Sequence, residues 1–357
     1  MSRLFSPLTI RSVTLPNRTW VSPMCQYSAV DGFVGDWHLV HLGALATGRP
    51  GLIMAEATAV TPEGRITPSC SGLWDDAHIG PWQRVVEFVH EQNTMIGLQL
   101  AHAGRKGSVT PPWHGGTSIL PEAGGWPTVA PSTIAYGALA EPRELDAHGI
   151  TRIIEAFAAA ARRAVRAGFD LVEIHMAHGY LMHEFLSPLS NRRSDDFGGS
   201  PEARMRLPLA VAQAVRDAVP TTMPVFARLS TTDWMPDGWS AADAIVLARA
   251  LYATGVDLID ASSAGLHHEQ SVPQHIDYQV DIAQRLKAET GGLVAAVGLI
   301  TEPTQAERIV DEGRADACFL GRAMLRDPHW PLRAAHELGD EVPWPSQYAL
   351  ARSWPTP

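Results

Sequence analysis

Cysteine and charge are both scarce in this chain. Three cysteines, Cys25, Cys70 and Cys318, are scattered over 357 residues. They are too few and too dispersed for a disulfide framework, a zinc ribbon or an iron–sulfur cluster held by cysteines. Charged residues make up 18%, and 28 Lys plus Arg against 38 Asp plus Glu leave a formal net charge of -10. That balance is a poor match for nucleic acid or for an anionic membrane surface. Long apolar runs are missing as well: a stretch such as Gly292 to Ile300 falls far short of the roughly 20 residues a membrane helix needs. The start, Met1-Ser2-Arg3-Leu4-Phe5 leading to Pro7, carries no apolar leader core, so no secretory signal is expected. Apolar residues, in contrast, reach 45%, enough for a large packed interior. The composition predicts a soluble, cytoplasmic globular protein.

Eight short apolar or β-branched runs recur along the chain: Thr19–Tyr27, Leu52–Val60, Met95–Gly104, Leu171–His178, Pro224–Ser230, Leu258–Ser263, Val294–Ile300 and Ala317–Met324. Several are almost wholly apolar, as parallel strands covered on both faces are. Helix punctuation separates them. Thr151 is placed to cap a helix carrying Ile153, Ile154, Phe157, Ala161 and Val165, with Gly168 as its stop. Ser200-Pro201 and Asp327-Pro328 each put a capping residue before a first-turn proline. Ser240 opens a further helix that Gly255 closes. Strand then helix, eight times, predicts an α/β chain folded as a (β/α)8 TIM barrel, a single domain over 1–340 with a tail at 341–357. An open doubly wound sheet would show a Gly-rich turn after its first strand; here that strand ends Ser22-Pro23-Met24-Cys25-Gln26-Tyr27.

Two segments stand outside the repeat. Leu8 to Leu15 alternates around Arg11-Ser12 and reads as a small N-terminal hairpin closing the barrel bottom. Arg105 to Gly149, after the third strand, is rich in Pro and Gly, with Pro111-Pro112, Gly115-Gly116 and Gly124-Gly125. A connection of that length reads as a lid at the mouth, with a tolerated surface insertion as the plainer alternative.

Barrel enzymes put their sites at the C-terminal ends of the strands. Those ends carry Cys25, Gln26 and Tyr27; Glu56-Ala57-Thr58; Gln99 to Lys106; His175 to Tyr180; Arg228-Leu229-Ser230; Ser262-Ser263; Gly298; and Gly321-Arg322. Donors and cations converge there and few acids do, which suits an anionic ligand rich in acceptors. Gly298 and Gly321 would admit close backbone approach, and Arg322 can fork to phosphate oxygens after the last two strands. The cluster His175-x-x-His178-Gly179-Tyr180 offers two imidazoles to a developing oxyanion and a phenol, with a reference pKa of about 10, as a general acid. On residue types alone, a metal site built from His102, His175, His178, His183 and Glu184 remains open, as does one core and one surface histidine. Cys25 and Cys318 read most simply as small apolar packing residues.

These stretches resemble the old yellow enzyme family of FMN-dependent ene-reductases, in its thermophilic-like (class II) branch. The resemblance is carried by Leu15-Pro16-Asn17-Arg18, by Ser22 to Tyr27, by Glu56-Ala57-Thr58-Ala59-Val60 and by Gln99 to Lys106. The longest match runs from Glu173-Ile174-His175 through His178-Gly179-Tyr180 and His183-Glu184-Phe185-Leu186-Ser187-Pro188 to Asn191-Arg192, then Phe197-Gly198-Gly199-Ser200 and Gly321-Arg322. It implies noncovalent FMN lined by Ser22, Pro23, Met24 and Cys25, with Ala57 and Gln99 at the polar edge and Arg228 facing the ring's N1–C2=O region. Gly298, Gly321 and Arg322 would hold the phosphate. His175 and His178 would grip a substrate oxygen, Tyr180 would donate a proton, and Tyr27 and Lys106 would lie near the substrate. Cys25 would tune the flavin. NADPH or NADH would be the reductant and an activated alkene the oxidant. A homodimer or homotetramer is implied, with Arg352 a candidate to reach a neighbouring subunit's site.

Related two-domain dienoyl-CoA reductases need a second flavin domain and a cysteine-ligated cluster, which this length and cysteine content do not supply. A zinc-dependent barrel hydrolase and a flavin-binding sensor without turnover are the remaining alternatives.

Overall fold

The computed structural model describes residues 2–353. Elements run β1 (Leu8–Ile10), β2 (Val13–Leu15), β3 (Thr19–Val21), α1 (Asp36–Thr47), β4 (Leu52–Ala59), α2 (Ile79–Glu91), β5 (Met95–Ala101), β6 (Val129–Ala130), β7 (Arg143–Glu144) and α3 (Ala147–Arg166). They continue β8 (Leu171–Met176), α4 (Leu181–Leu186), α5 (Pro201–Ala218), β9 (Val225–Ser230), α6 (Ala241–Ala253), β10 (Leu258–Ser262) and α7 (Val280–Thr290). The last are β11 (Leu293–Val297), α8 (Pro303–Asp311), β12 (Ala317–Leu320), α9 (Arg322–Arg326) and α10 (Trp330–Glu337). Eight parallel strands close in the order β3-β4-β5-β8-β9-β10-β11-β12 and back to β3. The fold is the (β/α)8 barrel that the repeat predicted.

Side chains alternate across each strand, so the closed sheet has two apolar layers. Outward residues such as Ile53, Leu98, Val172, Ile174 and Ile259 pack with helix residues such as Phe157. Inward ones fill the barrel: Trp20, Leu52, Met54, Leu171, Phe226, Leu258, Ala295, Val297, Ala317 and Phe319, with Ile10 and Leu15 plugging the bottom. The plug is the β1–β2 hairpin, antiparallel from Leu8 opposite Leu15 to Ile10 opposite Val13. Trp20 organises the lower interior, stacked on Phe226 at 5.9 Å and edge-on to Phe319 at 5.3 Å.

Several boundaries differ from the sequence expectation. The first and eighth strands stop at Val21 and Leu320, because the chain must leave the ladder to form the mouth. The helix expected to start at Thr151 starts a turn earlier, where Asp146 Oδ1 accepts from Gly149 N at 2.6 Å. Asp327-Pro328 does not open a helix; Asp327 caps a turn through His329 N, and α10 begins at Trp330. Ser200 and Ser240 are N-caps as expected. Residues 105–149 hold short 3-10 turns and the paired strands β6 and β7. That segment is pinned by Trp126 Nε1 donating to Glu63 O at 2.8 Å and by the Arg65 guanidinium over the Trp74 and Trp126 rings. Arg352 pairs with Glu341 of its own chain at 3.0 Å, both exposed; Trp354 and the rest of the expected tail lie outside the described residues.

Truncating Trp20 should empty the barrel bottom. Trp20→Ala is expected to cost about 3–5 kcal/mol. In equilibrium denaturation this is read as an earlier midpoint with an unchanged slope.

Candidate functional site

The mouth is assembled by register. His175 lies opposite Arg228, Arg228 opposite Asp260 and Ser230 opposite Ser262 along β8, β9 and β10, while Gln99 of β5 lies opposite Glu173 of β8. With a side-chain period of two, Glu173 and His175, Arg228 and Ser230, and Asp260 and Ser262 all face inward in two layers. A register shift between Ala55 and Ala57 interrupts β4 at Glu56, which re-aims the strand end.

The upper layer holds the histidine cluster. His175 and His178 ring centroids are 5.2 Å apart, and His175 and Tyr180 are 5.1 Å apart. Ala177 N donates to His175 Nδ1 at 3.3 Å, so the neutral ring carries its proton on Nε2. His178 sits at φ +59, held by its N–H to Ser230 Oγ at 2.9 Å and by Nε2 against Ser262 Oγ at 2.7 Å. Burial, then the Arg228 charge, keeps both imidazoles well below the usual histidine range; they are neutral hydrogen-bonding groups. Burial, followed by Cys25 and Tyr27, keeps the Tyr180 phenol well above its ordinary value.

A buried histidine–carboxyl contact holds the turn that carries these rings. Gly179 N donates to His183 Nδ1 at 2.9 Å, and His183 Nε2 lies 2.9 Å from Asp233 Oδ1, both side chains fully buried. Asp233 also accepts from Ser187 Oγ and Trp239 N. Gly179 has no room for a side chain, since a Cβ there would meet the backbone of Gly265.

Lys106 occupies the outer wall. Its ammonium donates to His178 O at 2.8 Å and Gly265 O at 2.9 Å, and it lies over the Tyr136 and Tyr180 rings at 4.6 and 5.0 Å. Burial lowers it to about 8. Its donors thus brace the His178 and Gly265 turns. Tyr27, at φ +49, packs edge-on against Trp113 at 5.7 Å.

The first-strand segment lies across the mouth from these groups. Gln26 N donates to Glu56 Oε2 at 2.9 Å, and Glu56 Oε1 pairs with His38 Nε2 at 3.0 Å in a buried couple. Burial pushes the Cys25 thiol well up, with Cys70 and Glu56 adding to it.

Several features fit FMN. Ser22 Oγ is buried without a hydrogen-bond partner among the described residues. Gly298 stands at φ +107, and a Cβ there would fall onto the Gln279 amide, which in turn donates to Val297 O; only glycine serves. Gly321 borders Met24 and Ser22, which brings the ends of the first and last barrel strands together. Arg322 is exposed and no ion-pair partner is seen for it among the described residues. Residues able to hold a dianionic phosphate and a polar ring edge are therefore grouped at one rim. Among the described residues no set of three or more His, Cys, Asp or Glu is arranged to hold a metal ion.

One expectation needs correction. The mouth looked poor in acids, yet Glu173 and Asp260 lie in the layer immediately below it, with Glu56, Glu184 and Asp233 buried behind the walls. Glu173 and Asp260 were recoverable from the strand period, being two residues before His175 and Ser262. His38 and Asp233 had no such signal, because each meets its partner across a gap in sequence that only folding closes.

A neutral Cys25 has a direct consequence. Since the thiolate is the nucleophile, its alkylation in the native protein at neutral pH should be at least about tenfold slower than that of free cysteine. Peptide-resolved mass spectrometry checks this, and labelling at the free-thiol rate would rule out a neutral thiol at Cys25.

Comparison with known proteins places this geometry. The sequence profile of the NADH:flavin oxidoreductase / NADH oxidase family matches residues 3–341. The NADPH dehydrogenase of Geobacillus thermodenitrificans (strain NG80-2) is 45% identical over 357 residues, covering 98% of both chains, and that of Bacillus subtilis (strain 168) is 42% identical over 355 residues, covering 99% of both. Among solved structures, morphinone reductase superposes with a TM-score of 0.79 at 29% identity over 96% of this chain and 91% of its own. Morphinone reductase in complex with tetrahydroNAD gives 0.78 at 30% identity, over 96% and 92%. The chain therefore belongs to the NADH:flavin oxidoreductase / NADH oxidase family, the old yellow enzyme family, as an FMN-dependent NADH/NADPH oxidoreductase.

Proposed function

We propose that this protein is an ene-reductase, reducing the C=C bond of α,β-unsaturated carbonyl or nitro compounds with NADPH as the preferred reductant. Bound at this mouth, FMN would supply the hydride chemistry between the nicotinamide and the alkene Cβ. Ser22, Pro23, Met24, Cys25, Ala57, Gln99 and Arg228 would hold its ring system, and Gly298, Gly321 and Arg322 its phosphate.

The observation that carries the reading is the packing of His175, His178 and Tyr180 within about one ring's reach of each other, at 5.2 and 5.1 Å. His175 offers Nε2–H because its Nδ1 is occupied by Ala177 N. The neutral His178 ring, with Nε2 2.7 Å from Ser262 Oγ, would supply a second ring N–H. Two neutral donors favour oxygen as it gains charge without binding the ground state as an ion would. Hydride addition at Cβ leaves Cα needing a proton, and Tyr180, kept protonated by burial, is the acid in reach. The Lys106 ammonium over the Tyr180 ring favours the negative charge left on the phenolic oxygen. Tyr27 and Trp113 would bound the substrate at the outer edge.

An anaerobic visible spectrum tests the cycle. The purified protein should be yellow, bleach with NADPH and regain its colour with cyclohexenone. A flavin that bleaches but is reoxidised by no activated alkene would remove the ene-reductase reading and leave the family standing. Positioned general acids contribute about 10²–10⁴-fold. Tyr180→Phe should therefore keep NADPH bleaching at the wild-type rate and slow recovery with the enone by about a hundredfold. Unchanged recovery would take Tyr180 out of the acid role.

A further inference from the structure

The layer beneath the histidine cluster holds three charges in a dry space. Glu173 and Asp260 are fully buried and Arg228 is 6% exposed. Arg228 Nε lies 3.1 Å from Asp260 Oδ2, and Glu173 Oε1 accepts from Gln99 Nε2 at 2.8 Å. Glu173 Oε2 and Asp260 Oδ1 have no hydrogen-bond partner among the described residues. One guanidinium balances one carboxylate. Two ionised carboxylates beside it would leave an uncompensated charge away from water, at a cost of several kcal/mol. The pair therefore carries one proton at rest, and that proton belongs to the pair and not to either residue alone.

The surroundings supply little to change that balance. The barrel floor below is apolar, formed by Trp20, Met54, Leu171, Phe226, Leu258, Ala295 and Phe319. Above lie His175 and His178, both held neutral, and the Lys106 ammonium, whose donors are directed to two backbone carbonyls. Arg228 is in direct contact with Asp260, and Glu173 is in contact with the neutral Gln99 amide. Burial, then Asp260, pushes the Glu173 carboxyl up, and burial pushes Asp260 up against the pull of Arg228.

We propose that the buried carboxyls of Glu173 and Asp260, the latter paired with Arg228, form a proton store that takes up one solvent proton when the bound FMN is reduced and returns it on reoxidation. The proposal rests on FMN lying at this mouth with Arg228 against it, and is independent of which alkene is reduced. A hydride from NAD(P)H brings two electrons and one proton, so the site gains one negative charge. Arg228 is already neutralised by Asp260 and has no net charge to offer. A second proton on the pair restores the electroneutrality of the layer, frees the guanidinium to face the new charge, and needs no reactant beyond solvent. The store thus sets how strongly the site favours the reduced cofactor, and makes that preference depend on pH.

The test is proton counting on the holoenzyme. With an indicator dye under anaerobic conditions, one solvent proton should disappear per flavin bleached by NADPH. Each proton taken up with two electrons lowers the midpoint potential by about 30 mV per tenfold fall in proton activity. The wild-type slope across neutral to mildly alkaline pH should then be about 60 mV per pH unit, one step from the hydride's own proton and one from the store. In the double variant Glu173→Gln with Asp260→Asn no carboxyl remains, so dye uptake should vanish and the slope fall to about 30 mV. Should that variant fail to fold, infrared difference spectra of the wild type decide: reduction should add a carboxylic-acid C=O band. Yellow double variant with proton uptake and slope unchanged, or no new carboxylic band in the wild type, would place the proton on the flavin and overturn the store while leaving the cofactor assignment intact. A chain that takes up no FMN would overturn both.

Discussion

Closing eight parallel strands into a barrel forces every second side chain into a space that water does not reach. Whatever faces inward must pack or be paired. The lower layers of this chain obey by packing, with Trp20 against Phe226 and Phe319 over the hairpin plug. The upper layers carry Glu173, Arg228 and Asp260, then His175, Ser230 and Ser262, and so must pair. The polarity of the site is a consequence of height along the strands, and the rest of the architecture serves to hold that height constant around the ring.

The loops above the strands repeat the same economy of fixed donors. His178 is held by Ser230, Ser262 and Lys106, and the following glycine by the His183–Asp233 pair. Opposite, Glu56 and His38 hold the backbone behind Cys25 through Gln26. His178, Gly179 and Gln26 therefore each rest on a polar side chain from elsewhere in the chain. That is the arrangement expected of a site in which orientation and electrostatics, and not a reactive side chain, do the protein's share. It also explains why Cys25 and Lys106 are poorly placed as nucleophile or free cation: one is kept neutral by burial, and the other spends its donors on carbonyls.

Much of this was legible beforehand. Apolar runs spaced by helix caps predicted the barrel, and the strand-end rule pointed to Gln99, His175, His178, Arg228, Gly298, Gly321 and Arg322 as neighbours. The misreadings have physical causes. Thr151 has capping chemistry but Asp146 has it a turn earlier, and a longer helix buries more of its apolar face. Glu173 and Asp260 lie one layer below the strand ends, which the strand-end rule does not reach.

The sequence by itself determined the element pattern and the list of groups at the mouth, since periodicity, capping and turn chemistry act over a few residues and can be read along the chain. Only the tertiary structure decided which of those groups meet, their tautomers and their charge. Register sets His175 against Arg228 and Arg228 against Asp260. His38 with Glu56 and His183 with Asp233 pair through space. Burial shifts proton affinities by removing solvent, and solvent exclusion is a property of the closed barrel and not of any segment in it.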